Sequence, residues 1–304
     1  MRPADRGTPT SRPISFVRKV SVLRSRQAVA QFVALLIPGV VLAGCGGSNP
    51  SASTQPGTVP RRAPSTQVVR LLDNGFLAPS TVRGPAVDLE VVNDGTEVHE
   101  MEISQVKPGT TTRQVVEALH RHEEPPFMVA DTGGVTALGP GERLRYRRHL
   151  PPGSYVLYCS LPTADGSDHL SKGMVRLFTV SDSQPGPAPV PDLTVTMGDR
   201  AITTPAITAG TRSVALVNRG TTEHEIWITG VPSTQDQRRL GEVDAWFEHG
   251  QVGPPPLGAH FPGGHQSISP GSSVTLTMTF RHGYTYHFVD NTGAHPVSST
   301  ERVV

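Results

Sequence analysis

Four side chains in this sequence have the chemistry to hold one metal ion together: His99, Cys159, His169 and Met174. They supply two imidazoles, one thiolate and one thioether. Sulfur suits Cu(I) and imidazole suits Cu(II), so a site fixed between the two preferences passes one electron with little rearrangement. A His₂Cys plane with a weak axial Met is such a donor set. Taken singly, each residue has an ordinary explanation. A lone His is usually a surface or hydrogen-bonded group, a lone Met is core, and a buried free Cys is inert. Order and spacing separate the two explanations.

Strands must bring the donors together. In YVLYC, period-2 alternation puts Tyr155, Leu157 and Cys159 on one face, with the thiol at the inner end of the strand. His99 lies in EVVNDGTEVHEMEI, after the turn Asn93-Asp94-Gly95 and before the alternating Met101 and Ile103. A polar loop containing Asp165, Gly166, Ser167 and Asp168 leads to His169, and Met174 opens another strand-like run.

The order His99…Cys159-x9-His169-x4-Met174 resembles the cupredoxin family: plastocyanins, azurins and the type 1 domain of copper nitrite reductases. The resemblance implies one type 1 copper per chain, with His99, Cys159, His169 and Met174 as its ligands. It also implies electron transfer to and from a partner protein, with His169 as the exposed ligand through which the electron passes. Phe127, Met128, Leu161 and Pro162 would form a small apolar docking surface near the metal, suited to a transient encounter. The chain departs from the family at two points. Glu100 follows the first histidine where the family often has Asn, placing a carboxylate that either lowers the reduction potential or faces solvent. The Cys159–His169 loop has nine intervening residues, against two to four in small cupredoxins, and is nearer to that of copper nitrite reductases.

An enzymatic role is not expected. Copper oxidases and nitrite reductases need His-x-His pairs for additional coppers, and His120-x-His122 stands alone. His120, His122 and His149 are assigned to the surface. No Ser/His/Asp order, phosphate-binding glycine loop or carboxylate pair suggests hydrolysis. Two other functions remain open. One is copper storage, delivery or sensing, which the long ligand loop and the His-rich second half would suit. The other is a metal-free interaction module on the same scaffold.

The fold class is all-β. The 304 residues contain 31 Gly and 29 Pro. Short β-prone runs such as VVRLL, VDLEVVN, MEISQV and RLRYRRHL lie between turn residues, as in a Greek-key sandwich or barrel. After Thr110-Thr111-Thr112, the residues Val115, Val116 and Leu119 fall on one helical face, predicting a short inserted helix.

The chain then repeats itself. VNDGTEVHEMEI (92–103) matches VNRGTTEHEIWI (217–228), and Pro140-Gly141 and Gly153 match Pro270-Gly271 and Gly283. These matches predict two tandem cupredoxin-like domains, 67–182 and 192–304, joined by a Pro-rich linker at 183–191. In the second copy Ser233-x-x-Asp236 is expected to cap a helix carrying Leu240, Val243 and Trp246. His224 matches His99, but the same spacing sets Val289 against Cys159, His295 against His169 and Thr300 against Met174. The second domain is therefore expected to be degenerate, with His224 and His295 at most a vestigial site. Its other histidines read as surface residues, with an imidazole-only metal site as the alternative.

The N-terminus has its own logic. Arg18, Lys19, Arg24 and Arg26 precede an apolar run, AVAQFVALLIPGVVLA, that is short for a membrane span. With small residues following, residues 1–44 read as a secretory signal. Leu42-Ala43-Gly44-Cys45 looks like a bacterial lipobox, which implies a lipidated Cys45, a membrane anchor and an extracytoplasmic location. Residues 45–66 are too poor in apolar groups to bury anything and read as a disordered tether. The leader holds seven basic residues and one acidic residue, leaving 20 and 25 from Cys45 on, formally −5. That balance argues against nucleic acid as a partner. With one cysteine at the leader junction and the other in the metal set, no disulfide is expected.

Overall fold

In the computed structural model, residues 66–121, 125–163, 165–183, 190–293 and 296–304 are described. The leader, Cys45, most of the tether, most of the proposed linker and His295 lie outside them. Among the described residues no helix is long and apolar enough to cross a membrane.

The chain is all-β with two helical interruptions. Its first half contains β1 (Gln67–Leu72), β2 (Gly75–Leu77), β3 (Thr81–Gly84), β4 (Ala86–Asn93), β5 (His99–Val106), α1 (Thr112–Arg121), β6 (Met128–Leu138), β7 (Arg143–His149), β8 (Gly153–Tyr158) and β9 (Val175–Asp182). The second half contains β10 (Leu193–Gly198), β11 (Ala201–Thr203), β12 (Gly210–Asn218), β13 (His224–Pro232), α2 (Asp236–Glu248), β14 (His265–Ile268), β15 (Ser273–Phe280), β16 (Tyr284–Asp290) and β17 (Val297–Arg302).

Pairing follows the sequence repeat. β1 lies parallel to β4 and β4 antiparallel to β7, just as β10 lies parallel to β12 and β12 antiparallel to β15. The halves also share their sheets. β15 pairs with β7, with Leu276 opposite Tyr146, to complete one eight-stranded sheet. β14 meets β6, with Gln266 opposite Gly134, in a nine-stranded one. The described residues belong to one compact unit.

Alternation sets the inner faces. Along β4, Val87, Leu89 and Val91 are buried while Ala86 is exposed. In β8 both faces are covered. Tyr155, Leu157 and Cys159 join the main core with Leu71, Met101 and Ile103. Val156 and Tyr158 face a second cluster built on Val115 of α1. Each such side chain removed from water contributes about 1.5–3 kcal/mol, so the strand carrying the cysteine is held from both sides.

α1 turns Val115 and Ala118 inward, with Val116 and Leu119 half-buried against the same cluster. In the second copy Ser233 does not cap the helix. It opens a short 3-10 turn, Ser233–Gln235, and its hydroxyl accepts from Thr285 at 2.9 Å, while α2 begins at Asp236 without a side-chain cap. Val243 is buried beneath α2 and Leu240 and Trp246 pack on the core.

Candidate metal centre

The turn before His99 is built by Asn93 and Asp73. The Asn93 amide donates to the carbonyls of Glu97 and Leu138, both at 2.8 Å, and its oxygen accepts from the Gly95 amide at 2.9 Å. Asp73 accepts from the Thr96 amide at 2.8 Å and hydroxyl at 2.9 Å, and lies 3.0 Å from His99 Nε2. Burial opposes the Asp73 charge, but the bonds from Thr96 and His99 outweigh it and hold the carboxyl below its usual range. Only glycine fits at position 95, where a Cβ would lie 2.4 Å from Asp73 and 2.5 Å from His99 Nε2.

With Nε2 held by Asp73, His99 Nδ1 is left buried and without a hydrogen-bond partner. Burial, helped by nearby His169, pulls the His99 imidazole down to about 4, so the neutral ring is favoured. A neutral ring with one nitrogen fixed on a carboxylate and the other free is the form of a metal-ligating histidine.

Cys159 follows β8 directly. Its amide donates to the Met174 carbonyl at 3.2 Å, and its sulfur accepts from the Glu100 amide at 3.5 Å. Burial, and then the Glu100 carboxylate, push the thiol well up, which leaves it protonated unless a cation compensates. His169 is placed by its loop. Its amide donates to the Leu161 carbonyl at 3.0 Å, its carbonyl accepts from the Met174 amide at 2.9 Å, and Nδ1 lies 2.9 Å from the Leu161 oxygen.

The outcome is convergence. The His99 and His169 rings lie 4.4 Å apart at 76°, and donor atoms of His99, Cys159 and His169 all fall within 4.8 Å of one another. Among the described residues no other three side chains of His, Cys, Asp or Glu bring their donor atoms this close together. Met174 is fully buried and tied by backbone bonds to both Cys159 and His169. Two imidazoles, with the Nδ1 of His99 unsatisfied, and a thiol fit a thiophilic transition metal, and copper suits the set.

Several details differ from expectation. His169 is fully buried, and the part-exposed Glu97 places a carboxylate oxygen 3.1 Å from its Nε2. Glu100 does not face solvent. Its carboxylate is buried, accepting from the Ser160 amide at 2.8 Å and hydroxyl at 2.7 Å, and from Gln266 at 2.9 Å. Phe127 and Met128 are not at the metal end. Met128 pairs with Val106 while His99 pairs with Leu138 at the other end of β5, and both residues pack on the α1 cluster. Leu161 is buried and Pro162 half-buried. His120 and His149 are exposed, as expected, with His120 3.0 Å from the Ser171 hydroxyl, and His122 lies outside the described residues. His260 and His265, expected at the surface, are instead buried.

The register corrects the match between the halves. Glu102 pairs with Tyr158 and Trp227 with Val289, so Cys159 corresponds to Asp290 and not to Val289. Tyr158 pairs with Val175 and Val289 with Ser298, which sets Val297 against Met174 in place of Thr300. His224 keeps its outer carboxylate, Asp199, 3.2 Å from Nε2, but its Nδ1 is met by Asp290 at 2.5 Å. The Glu225 amide donates to Asp290 at 3.4 Å, as the Glu100 amide does to Cys159.

No family model matches the sequence, and no curated protein does. Solved structures do show likeness. Auracyanin from Roseiflexus castenholzii is 23 % identical with a TM-score of 0.26, over 38 % of this chain and 98 % of its own. An azurin from Methylomonas sp. strain J is 14 % identical with a TM-score of 0.25, over 36 % and 95 %. A blue copper oxidase from Nitrosomonas europaea is 15 % identical with a TM-score of 0.22, over 78 % and 85 %. The structural neighbours are cupredoxins and multicopper oxidases. At these scores the likeness adds no weight to the metal assignment, which rests on the side chains.

Proposed function

We propose that this chain is an extracytoplasmic, membrane-anchored one-electron carrier, not an enzyme, with a single type 1 copper held by His99, Cys159 and His169 and by Met174 as the axial donor. The observation that carries it is the buried, unpartnered His99 Nδ1 beside the Cys159 thiol and the His169 ring. Copper would supply the Cu(I)/Cu(II) couple. The chain's residues supply the rest. Asp73 orients the His99 ring, the Glu100 amide steadies the sulfur, and the packed strands exclude water and resist rearrangement. The docking partner would be another redox protein, and Cys45 would carry the lipid. Cyclic voltammetry of the copper-loaded protein tests the role: a reversible one-electron wave is expected, and its absence from a loaded protein would contradict a carrier. In cells, Cys45→Ala is expected to move the protein from the membrane to the soluble fraction; a variant still membrane-bound would contradict the anchor.

One observation favours a second reading, copper storage or delivery with redox change incidental: no edge of His169 reaches solvent. The two separate on exchange. A carrier keeps its copper over many redox cycles, whereas a delivery protein gives it up to a competing chelator.

A further inference from the structure

The second half of the chain carries no thiol, yet one of its side chains reaches the surroundings of the metal centre. β14 meets β6 beside two glycines. A Cβ at Gly133 would lie 2.0 Å from the Gln266 carbonyl oxygen, and one at Gly134 would lie 1.9 Å from the Met101 carbonyl oxygen. β14 therefore closes on Gly133 from the second half while β5 closes on Gly134 from the first, and neither position has room for a side chain. On β14 the residue after Gln266 is Ser267, whose φ of +47° is in the left-handed region that a non-glycine residue rarely adopts. Its hydroxyl is bonded to Asp131 of the first half at 2.7 Å. A strained backbone, clamped from the opposite half, thus aims the side chain of Gln266.

That side chain donates to the Glu100 carboxylate at 2.9 Å. Glu100 is the hub. Its other carboxylate oxygen accepts from the amide and the hydroxyl of Ser160, the residue after Cys159. Its own amide donates to the Cys159 sulfur, and it directly follows His99. The sequence repeat sets Thr136 opposite Gln266, and Thr136 reaches only a backbone oxygen, that of Ile226, at 3.3 Å. The reach runs from the second half to the first and is not returned.

We infer that the second half tunes the metal centre through Gln266, a positioning residue that fixes Glu100 and, through it, the Cys159 sulfur. This rests on the copper assignment above. The Gln266 donor offsets part of the negative charge of Glu100 beside the sulfur. Removing it exposes the thiolate to more negative potential, which favours the more positive, oxidised metal.

The test compares copper-loaded wild type with Gln266→Leu, which keeps an uncharged side chain but is one bond shorter and loses the donor, and Gln266→Lys, which keeps a donor. In the leucine variant the one-electron reduction equilibrium is expected to shift about three- to tenfold toward the oxidised form, at ~59 mV per tenfold, with a moved thiolate-to-copper band. The lysine variant is expected at or above the wild-type potential. If the leucine variant does not fold, Gln266→Asn, one methylene too short to reach Glu100, takes its place. An unchanged or raised potential in the donor-less variant overturns the inference, as does an equal fall in the lysine variant. Thr277→Val, which loses the Arg147 contact elsewhere between the halves, serves as the control and should leave the potential unchanged; a fall like that of the leucine variant also overturns it. Wild type without any thiolate-to-copper band is a different failure, that of the copper assignment itself.

Discussion

Asp290 holds, in the second half, the strand position that Cys159 holds in the first. It meets the Nδ1 of His224 at 2.5 Å and accepts from the Glu225 amide, the two neighbours whose counterparts surround the thiol. A carboxylate in that place satisfies the imidazole from within the protein. The second centre is thus closed by a hydrogen bond where the first is left open for a metal.

Breaking that closure should cost stability without touching the first centre. Asp290→Ala leaves the buried His224 Nδ1 and the Glu225 amide without this acceptor, and removes the bonds from Thr292 at 2.7 and 2.9 Å. Orphaned buried groups cost about 1–3 kcal/mol each, so a loss of roughly 2–4 kcal/mol is expected in urea unfolding. The copper spectrum of the folded variant should be unchanged. A loss below about 1 kcal/mol would contradict the arrangement.

Asp73 is the carboxylate behind the first ligand histidine. Asp73→Asn keeps the shape but weakens the hold on His99 Nε2, and outer partners of this kind are worth about 10–100-fold in metal affinity. Chelator competition should show a loss in that range, and an affinity within about twofold of wild type would argue that the ring is positioned by packing alone.

Stability should depend on pH through the buried imidazoles. Burial, aided by His169, lowers His99 from 6.5 to about 4, and burial also lowers His260 and His265. As pH falls from about 6.5 to 4, the unfolded chain takes up protons that the folded rings refuse, so the folded state loses stability. For His99 alone this amounts to on the order of 3 kcal/mol. Glu102 works the other way, because burial beside Glu100 raises it and folding then favours its protonated form. Burial also lowers His287 and raises Asp244, so four rings stand against two carboxyls. Without copper, the urea midpoint should fall across this window, and a flat or rising profile would contradict the balance.

The donors themselves were legible in the sequence, because strand alternation and the Asn-Asp-Gly turn are local signals. Tyr155, Leu157 and Cys159 do share a face, and α1 lies where its apolar spacing indicates. What could not be read was set by pairing between distant strands. The identity of Asp290 as the counterpart of Cys159 depends on a one-residue difference in register, which the shared Pro-Gly and Gly positions conceal. The carboxylate beside the buried His169 comes from Glu97, a residue in the turn before a different strand. Glu100 is buried because Gln266, 166 residues away, is there to receive it. Asp73 gave one faint signal: Asp199 precedes His224 at nearly the same spacing.

The optical spectrum of the mature chain titrated with Cu(II), beside that of Cys159→Ser, tests the metal centre most directly. The account predicts an intense visible thiolate-to-copper band that saturates at one copper per chain in the first and is missing from the second. No band in wild type, or the same band in both, would contradict it.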